Sequence, residues 1–192
     1  MARRLRDPQV RAGLVLLVVV AAAAVALRLA PTRARAALPV PHAAGKIVLD
    51  GELVDPGWTR DARTGPFITK AGARAFPHSE ARITWDEERL YLGLFAADED
   101  IRAADHFDVT IQRPGKPDAR FVHSPTSPGA EADGTIDDAS DDDEEWGVEA
   151  GIPLAELGVG RGDAFTVRIE RCDRPKGSPV ICAGWSHDVV LE

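Results

Sequence analysis

From residue 38 onward the sequence predicts an all-β chain folded as an antiparallel β-sandwich of the jelly-roll or immunoglobulin type. Three observations predict it. Apolar and polar residues alternate over short runs such as His106 to Gln112 (HFDVTIQ) and Asp163 to Cys172, and alternation marks a strand with one buried face. These runs are separated by turns rich in Gly, Pro and Asp, the punctuation of a sandwich. Helical periodicity is confined to the first 37 residues.

Residues 1–37 stand apart from the rest. Arg3, Arg4, Arg6 and Arg11 precede Ala12 to Leu27, which carries no charge, and Arg28 follows. A basic segment, an apolar stretch and then Ala34-Arg35-Ala36-Ala37 fit a cleaved signal peptide. A membrane anchor over residues 12–30 fits as well, with Arg28 snorkelling to lengthen the span. A buried core helix fits worse, because the run lies at the terminus behind basic residues. The first two readings both predict export, to a periplasmic or extracellular location, with membrane contact only through this segment.

The formal net charge is −8; residues 1–36 hold seven Arg and one Asp, a surplus of six positive charges, so the remainder carries −14. Such a domain lacks the basic surface that grips phosphates, which argues against nucleic acid as a partner. Residues 38–192 are one domain's worth of chain, enough for a real core.

Taken in order, Arg33 to Ala44 reads as a linker and Lys46 to Asp50 as the first strand, closed by Asp50-Gly51. Asp55-Pro56-Gly57 turns the chain and delivers Trp58; residues 59–79 are irregular, with a short strand at Phe67-Ile68. Ala81 to Ile101 is a hairpin. Arg82 to Trp85 alternates, Asp86 to Arg89 turns, Leu90 to Ala97 is apolar on both faces, and Asp98-Glu99-Asp100 stops the strand. A strand apolar on both faces is a central one that needs cover on each side. Phe107, Val109 and Ile111, with Phe165, Val167 and Ile169, supply the opposing layer. Arg120 to His123 is the next strand, followed by a loop from Ser124 to Glu145, a strand from Trp146 to Ile152 and one helical turn at Pro153 to Leu157. Val180 to Trp185 and Val189 to Leu191 close the chain. Cys172 and Cys182 flank a turn with two Pro and a Gly, which brings the sulfurs together as a disulfide. A metal pair is the lesser reading, because no second Cys or His pair accompanies them.

Several phrases, in this order and spacing, resemble family-9 carbohydrate-binding modules. They are Ile47-Val48-Leu49-Asp50-Gly51-Glu52-Leu53 with Asp55-Pro56-Gly57-Trp58; Trp85-Asp86-Glu87-Glu88-Arg89-Leu90-Tyr91 with Asp98-Glu99-Asp100-Ile101; and Glu149-Ala150-Gly151-Ile152-Pro153-Leu154 with Leu157. The resemblance covers residues 45 to 191. It implies a non-catalytic β-sandwich, bound calcium in a structural role, and a polysaccharide or oligosaccharide held between aromatic rings. The chain departs from the pattern at Thr110 and Gln112, where relatives often carry acids, and in its own loop 124–145. Heme-binding members of the superfold use a Met ligand, and the only Met here is Met1.

Sugar faces stack on aromatic rings. Of the four Trp, Trp58 and Trp85 read as core, whereas Trp146 and Trp185 have polar or Gly neighbours and are the candidate ligand platforms. Asp98, Glu99 and Asp100 are the candidate calcium ligands, with Asp105 and Asp108 able to add oxygens if the loop folds back. The acid run from Asp137 to Glu145 lacks the spacing of a helix-loop-helix calcium loop and reads as a solvated loop. The five His are scattered, and Ser124 and Ser127 lie in no nucleophile elbow, so nothing argues for catalysis. A structural or protein-interaction sandwich that has lost its sugar site is the alternative function.

Overall fold

The computed structural model describes residues 36–138, 140, 143–174, 177 and 179–192. The central hairpin forms as expected. Strand β4 (Ser79–Trp85) pairs antiparallel with β5 (Arg89–Ala97), whose turn is locked by the Asp86 carboxylate accepting the N–H groups of Glu88 and Arg89. Five strands make the first sheet, in the order β2 (Arg63–Pro66), β4, β5, β9 (Glu145–Pro153) and β8 (Ala130–Ala132). The second sheet runs β1 (Leu38–Val40), β11 (Ile181–Leu191), β10 (Ala164–Asp173), β6 (His106–Gln112) and β7 (Ala119–His123), and β3 (Ile68–Thr69) also pairs with β11. The arrangement is sandwich-like and mostly antiparallel. It is not wholly so, because β1 runs parallel to β11.

The core between the sheets is assembled from residues of one phase. Leu90, Leu92 and Leu94 of β5 meet Phe107, Val109 and Ile111 of β6 and Phe165, Val167 and Ile169 of β10 in one buried cluster. Burying each Leu contributes about 2 kcal/mol. The opposite face of β5 carries Tyr91, Gly93 and Phe95, and a second cluster of Leu53, Trp58 and Ala62 covers it. Gly93 makes that cover possible, since a Cβ there would come within 2.4 Å of Leu53. This accounts for the two-faced apolar run: one face meets the other sheet, the other meets the arm of residues 45–62. Helix α1 (Leu154–Leu157) buries Leu154 and Leu157 and ends at Gly158, whose φ of 60° suits a residue without a side chain.

Several expectations are corrected. Lys46 to Asp50 forms no ladder: the Asp55 carboxylate accepts the Val48 N–H, the Glu149 carboxylate accepts that of Asp50, and Val48 and Leu49 are exposed. At Val48 and Asp50, side-chain carboxylates take the place of a neighbouring strand. The segment read as linker contains β1, and the loop 124–145 contains β8. Residues 181–191 are one strand rather than two. Residues 1–35, including the expected N-terminal apolar helix, signal peptide and anchor over 12–30, lie outside the described residues. Among the described residues no helix is long and apolar enough to cross a membrane, which counts against the transmembrane and membrane-tethered assignments.

Candidate metal centre and ligand cleft

Three carboxylates meet at one end of the sandwich. Asp98 follows β5, Asp105 precedes β6, and Asp173 is the last residue of β10. Each is buried, and one oxygen from each lies within 4.8 Å of the others. Arg171 is drawn in by phase, since β10 turns Phe165, Val167, Ile169 and then Arg171 toward the core. Its guanidinium donates to Asp98 Oδ2 at 2.7 Å, to the Ala97 carbonyl at 3.0 Å and to Ser79 Oγ at 3.1 Å, and lies 3.9 Å from Asp173 Oδ2. Asp105 is held by the N–H groups of Arg102 and Arg174, at 2.8 and 2.7 Å. Asp98 Oδ1 accepts the Asp100 N–H at 3.1 Å. Asp173 Oδ1 is buried with no partner among the described residues.

The electrostatics follow from this count of three acids to one cation. Burial, opposed by Arg171 and reinforced by Asp98, Asp105 and Asp100, pushes the Asp173 carboxyl up to about 6. Burial also raises Asp105, against the two N–H donors that hold its ionised form. A cluster so charged favours uptake of a proton or a second cation. Hard carboxylate oxygens with one left open suit a divalent ion of the calcium or magnesium class, and Asp98, Asp105 and Asp173 are the residues to hold it.

Of the expected ligands, only Asp98 belongs to this triad. Glu99 is exposed, and Asp100 pairs with Arg102 at 3.2 Å. Asp105 joins because its loop does fold back; Asp108 stays on the surface near His106. Asp173 was not anticipated from sequence, although the phase that turns Arg171 inward carries on to it. Asp143, in the acid run read as solvated, is buried and accepts the Ile101 N–H at 2.8 Å; Ala139, Asp141 and Asp142 lie outside the described residues. Cys172 and Cys182 are opposed on β10 and β11 and form a disulfide beside Asp173.

The two expected ring platforms part company. Trp146 is 1 % exposed and packs against Phe107 with ring centroids 5.0 Å apart, so neither of its faces is open. It shares the inward phase of Val148 and Ile152 on β9. Trp185 is 9 % exposed, lies beside His187 at 4.9 Å, and forms part of a cleft of about 520 Å³. Leu38 and Val40 of β1, Ile83 of β4 and Val189 of β11 give that cleft an apolar wall, and Arg60, Asp61, Arg63 and Glu192 give it a charged rim. Its volume falls in the range of small-ligand sites, about 300–1,000 Å³. No clamp between Trp146 and Trp185 is built.

No protein-family profile and no curated protein matches the chain. Among solved structures it is similar to a family 9 carbohydrate binding module from Caldicellulosiruptor kristjanssonii in complex with glucose, with a TM-score of 0.54 and 13 % identity over 80 % of this chain and 95 % of that one. A family 9 module from the same organism in complex with cellotriose matches with a TM-score of 0.52 and 12 % identity, over 81 % of this chain and 93 % of that one. Residues 36–192 therefore carry the β-fold of family 9 carbohydrate-binding modules.

Proposed function

We propose that this domain is a non-catalytic carbohydrate-binding module, with the sugar in the Trp185 cleft and calcium at Asp98, Asp105 and Asp173. The observation that carries the reading is the match along 95 % of a module that holds glucose. Trp185 and the apolar wall offer a surface to sugar C–H groups, and the charged rim offers partners to hydroxyls. Retention of the full chain on polysaccharide gels, with and without calcium, tests it. Wild type is expected to be retarded, and Trp185→Leu, which keeps apolar volume but removes the ring, is expected to bind about tenfold more weakly. No retention on any polysaccharide in either condition counts against the reading.

A second reading, an interaction domain of this fold without a sugar site, draws on one observation: none of the four Trp is more than 9 % exposed. Iodide quenching separates the two. Under the first reading a saccharide shields one Trp from iodide, and under the second no saccharide changes the quenching.

Calcium would neutralise the triad and tie the end of β5 to the end of β10. The Asp173 carboxyl has a folded value of about 6, above its ordinary 3.8. The stability it lends is thus complete below about pH 4 and lost as the pH rises through 6, by up to about 3 kcal/mol. A bound cation favours the ionised form and offsets that loss. In chelator, the urea midpoint is expected to fall between about pH 4 and 7, and calcium is expected to restore it at pH 7 but not at pH 4. An equal calcium effect at both pH values would exclude the triad.

A further inference from the structure

On a domain this acidic, one cleft is basic. Arg63 of β2 and Arg82 of β4 are directly opposed in register, so both side chains leave the same face of the sheet. Like charges so placed repel. Arg60, in the turn between Thr59 and Arg63, joins them around a space of about 380 Å³ walled by Trp58 and Thr59. Counter-charge is short. Glu80 serves Arg63 at 3.2 Å and Arg82 at 4.0 Å, and His78 at 3.6 Å competes for it. Arg82 Nη1 donates to the Leu53 carbonyl, but its Nε is buried without a hydrogen-bond partner among the described residues. Arg60 makes no ion pair among those residues. The nearby Glu149 attracts Arg82 through charge alone and accepts none of its N–H groups, since its oxygens are engaged by Trp58, Gly51 and Asp50.

Three guanidinium forks with one acid, Glu80, among them keep donors suited to the planar oxygens of a carboxylate or the oxygens of a sulfate. Arg60 and Arg63 also line the Trp185 cleft, so the two spaces share a wall. We infer that Arg60, Arg63 and Arg82 hold an oxyanion carried by the ligand, which makes the ligand an acidic saccharide, bearing a uronate carboxylate or a sulfate ester. The saccharide half of this inference rests on the carbohydrate-binding reading above; the oxyanion half does not. A local positive field also draws such a ligand to a protein that otherwise repels it.

The test is calorimetric titration of the full chain with cellotriose, trigalacturonate, a sulfated trisaccharide and inorganic sulfate. Arg60 and Arg63 are both exposed, so an R60Q/R63Q variant keeps the fold, and R120Q on the exposed β7 serves as a control for loss of a positive charge elsewhere. Trigalacturonate or the sulfated sugar is expected to bind at least about tenfold tighter than cellotriose. That preference is expected to vanish in R60Q/R63Q, to shrink with added salt, and to survive in R120Q. The uronate and sulfated arms identify the oxyanion. Cellotriose binding as tight as either acidic sugar, or a preference untouched by R60Q/R63Q, overturns the inference and leaves the carbohydrate reading standing. Binding of sulfate alone, lost in R60Q/R63Q, upholds the oxyanion site and overturns the saccharide. Binding of none of the four overturns both.

Discussion

Replacing Arg171 by Met is expected to cost about 3–5 kcal/mol of stability at neutral pH, the loss that follows when one partner of a buried charge cluster is removed. Among the described residues the guanidinium is the cation that pairs with this triad, and it also bonds the Ala97 carbonyl and Ser79 Oγ. Met keeps most of the stem's packing, so the loss is electrostatic and hydrogen-bonded rather than a cavity effect. Urea denaturation gives the size, and two further measurements give the cause. Protonation of Asp173 relieves the cluster, so the deficit is expected to shrink as the pH falls below about 6. A second change, Asp98→Asn, is expected to recover part of it, because the Asp100 N–H still finds an oxygen while one negative charge is gone. A deficit under about 1 kcal/mol, independent of pH, would mean that the three carboxylates do not share a field.

Arg171 also illustrates what the sequence could and could not disclose. Periodicity reports which face of a strand is buried, and it did so for Phe107, Val109 and Ile111 and for Phe165, Val167 and Ile169. The same period, continued past Ile169, turns Arg171 inward and Asp173 with it. Read by charge, those two belong on the surface; read by phase, they belong to the site. Trp146 repeats the lesson. Its neighbours Glu145 and Gly147 suggested exposure, yet its phase with Val148 and Ile152 places it in the core. The helical turn at Leu154–Leu157 and the disulfide were legible because each depends on local chain direction and turn chemistry. Strand β1 was not, since three residues pairing in parallel with β11 leave no local signature. Nor was the lost strand at Lys46 to Asp50: its apolar residues resemble a ladder strand, but its donors are met by Asp55 and Glu149, seven and about a hundred residues away. Long-range side-chain partners are invisible to a window of ten residues.

Glu149 is the other residue whose loss is expected to be severe. It lies on the outward phase of β9, between Gly147 and Gly151, yet is 1 % exposed because the arm of residues 45–58 covers it. Oε1 accepts the Trp58 indole N–H, and Oε2 accepts the N–H groups of Gly51 and Asp50 at 3.0 Å each. Burial raises its carboxyl above the usual value while these three donors pull the other way. Gly147 sets the fit: a Cβ there would come within 2.6 Å of the Gly51 carbonyl oxygen. Glu149→Leu is expected to cost about 3–5 kcal/mol, since three buried donors lose their acceptor. Glu149→Gln is the sharper test. Its oxygen can serve either Trp58 or the two backbone N–H groups, and its amide then faces donors on the other side, so a loss of about 2–4 kcal/mol is expected despite identical shape. The readout is local as well as global. Freed of Glu149, the arm is expected to lift from β5, exposing Trp58 to quencher and shifting its emission to the red. Trp58 walls the cleft of Arg60, Arg63 and Arg82, so the same variant is expected to weaken any oxyanion bound there. Unchanged quenching and unchanged stability in Glu149→Gln would show that the apolar contacts of Leu53, Trp58 and Ala62 hold the arm without it.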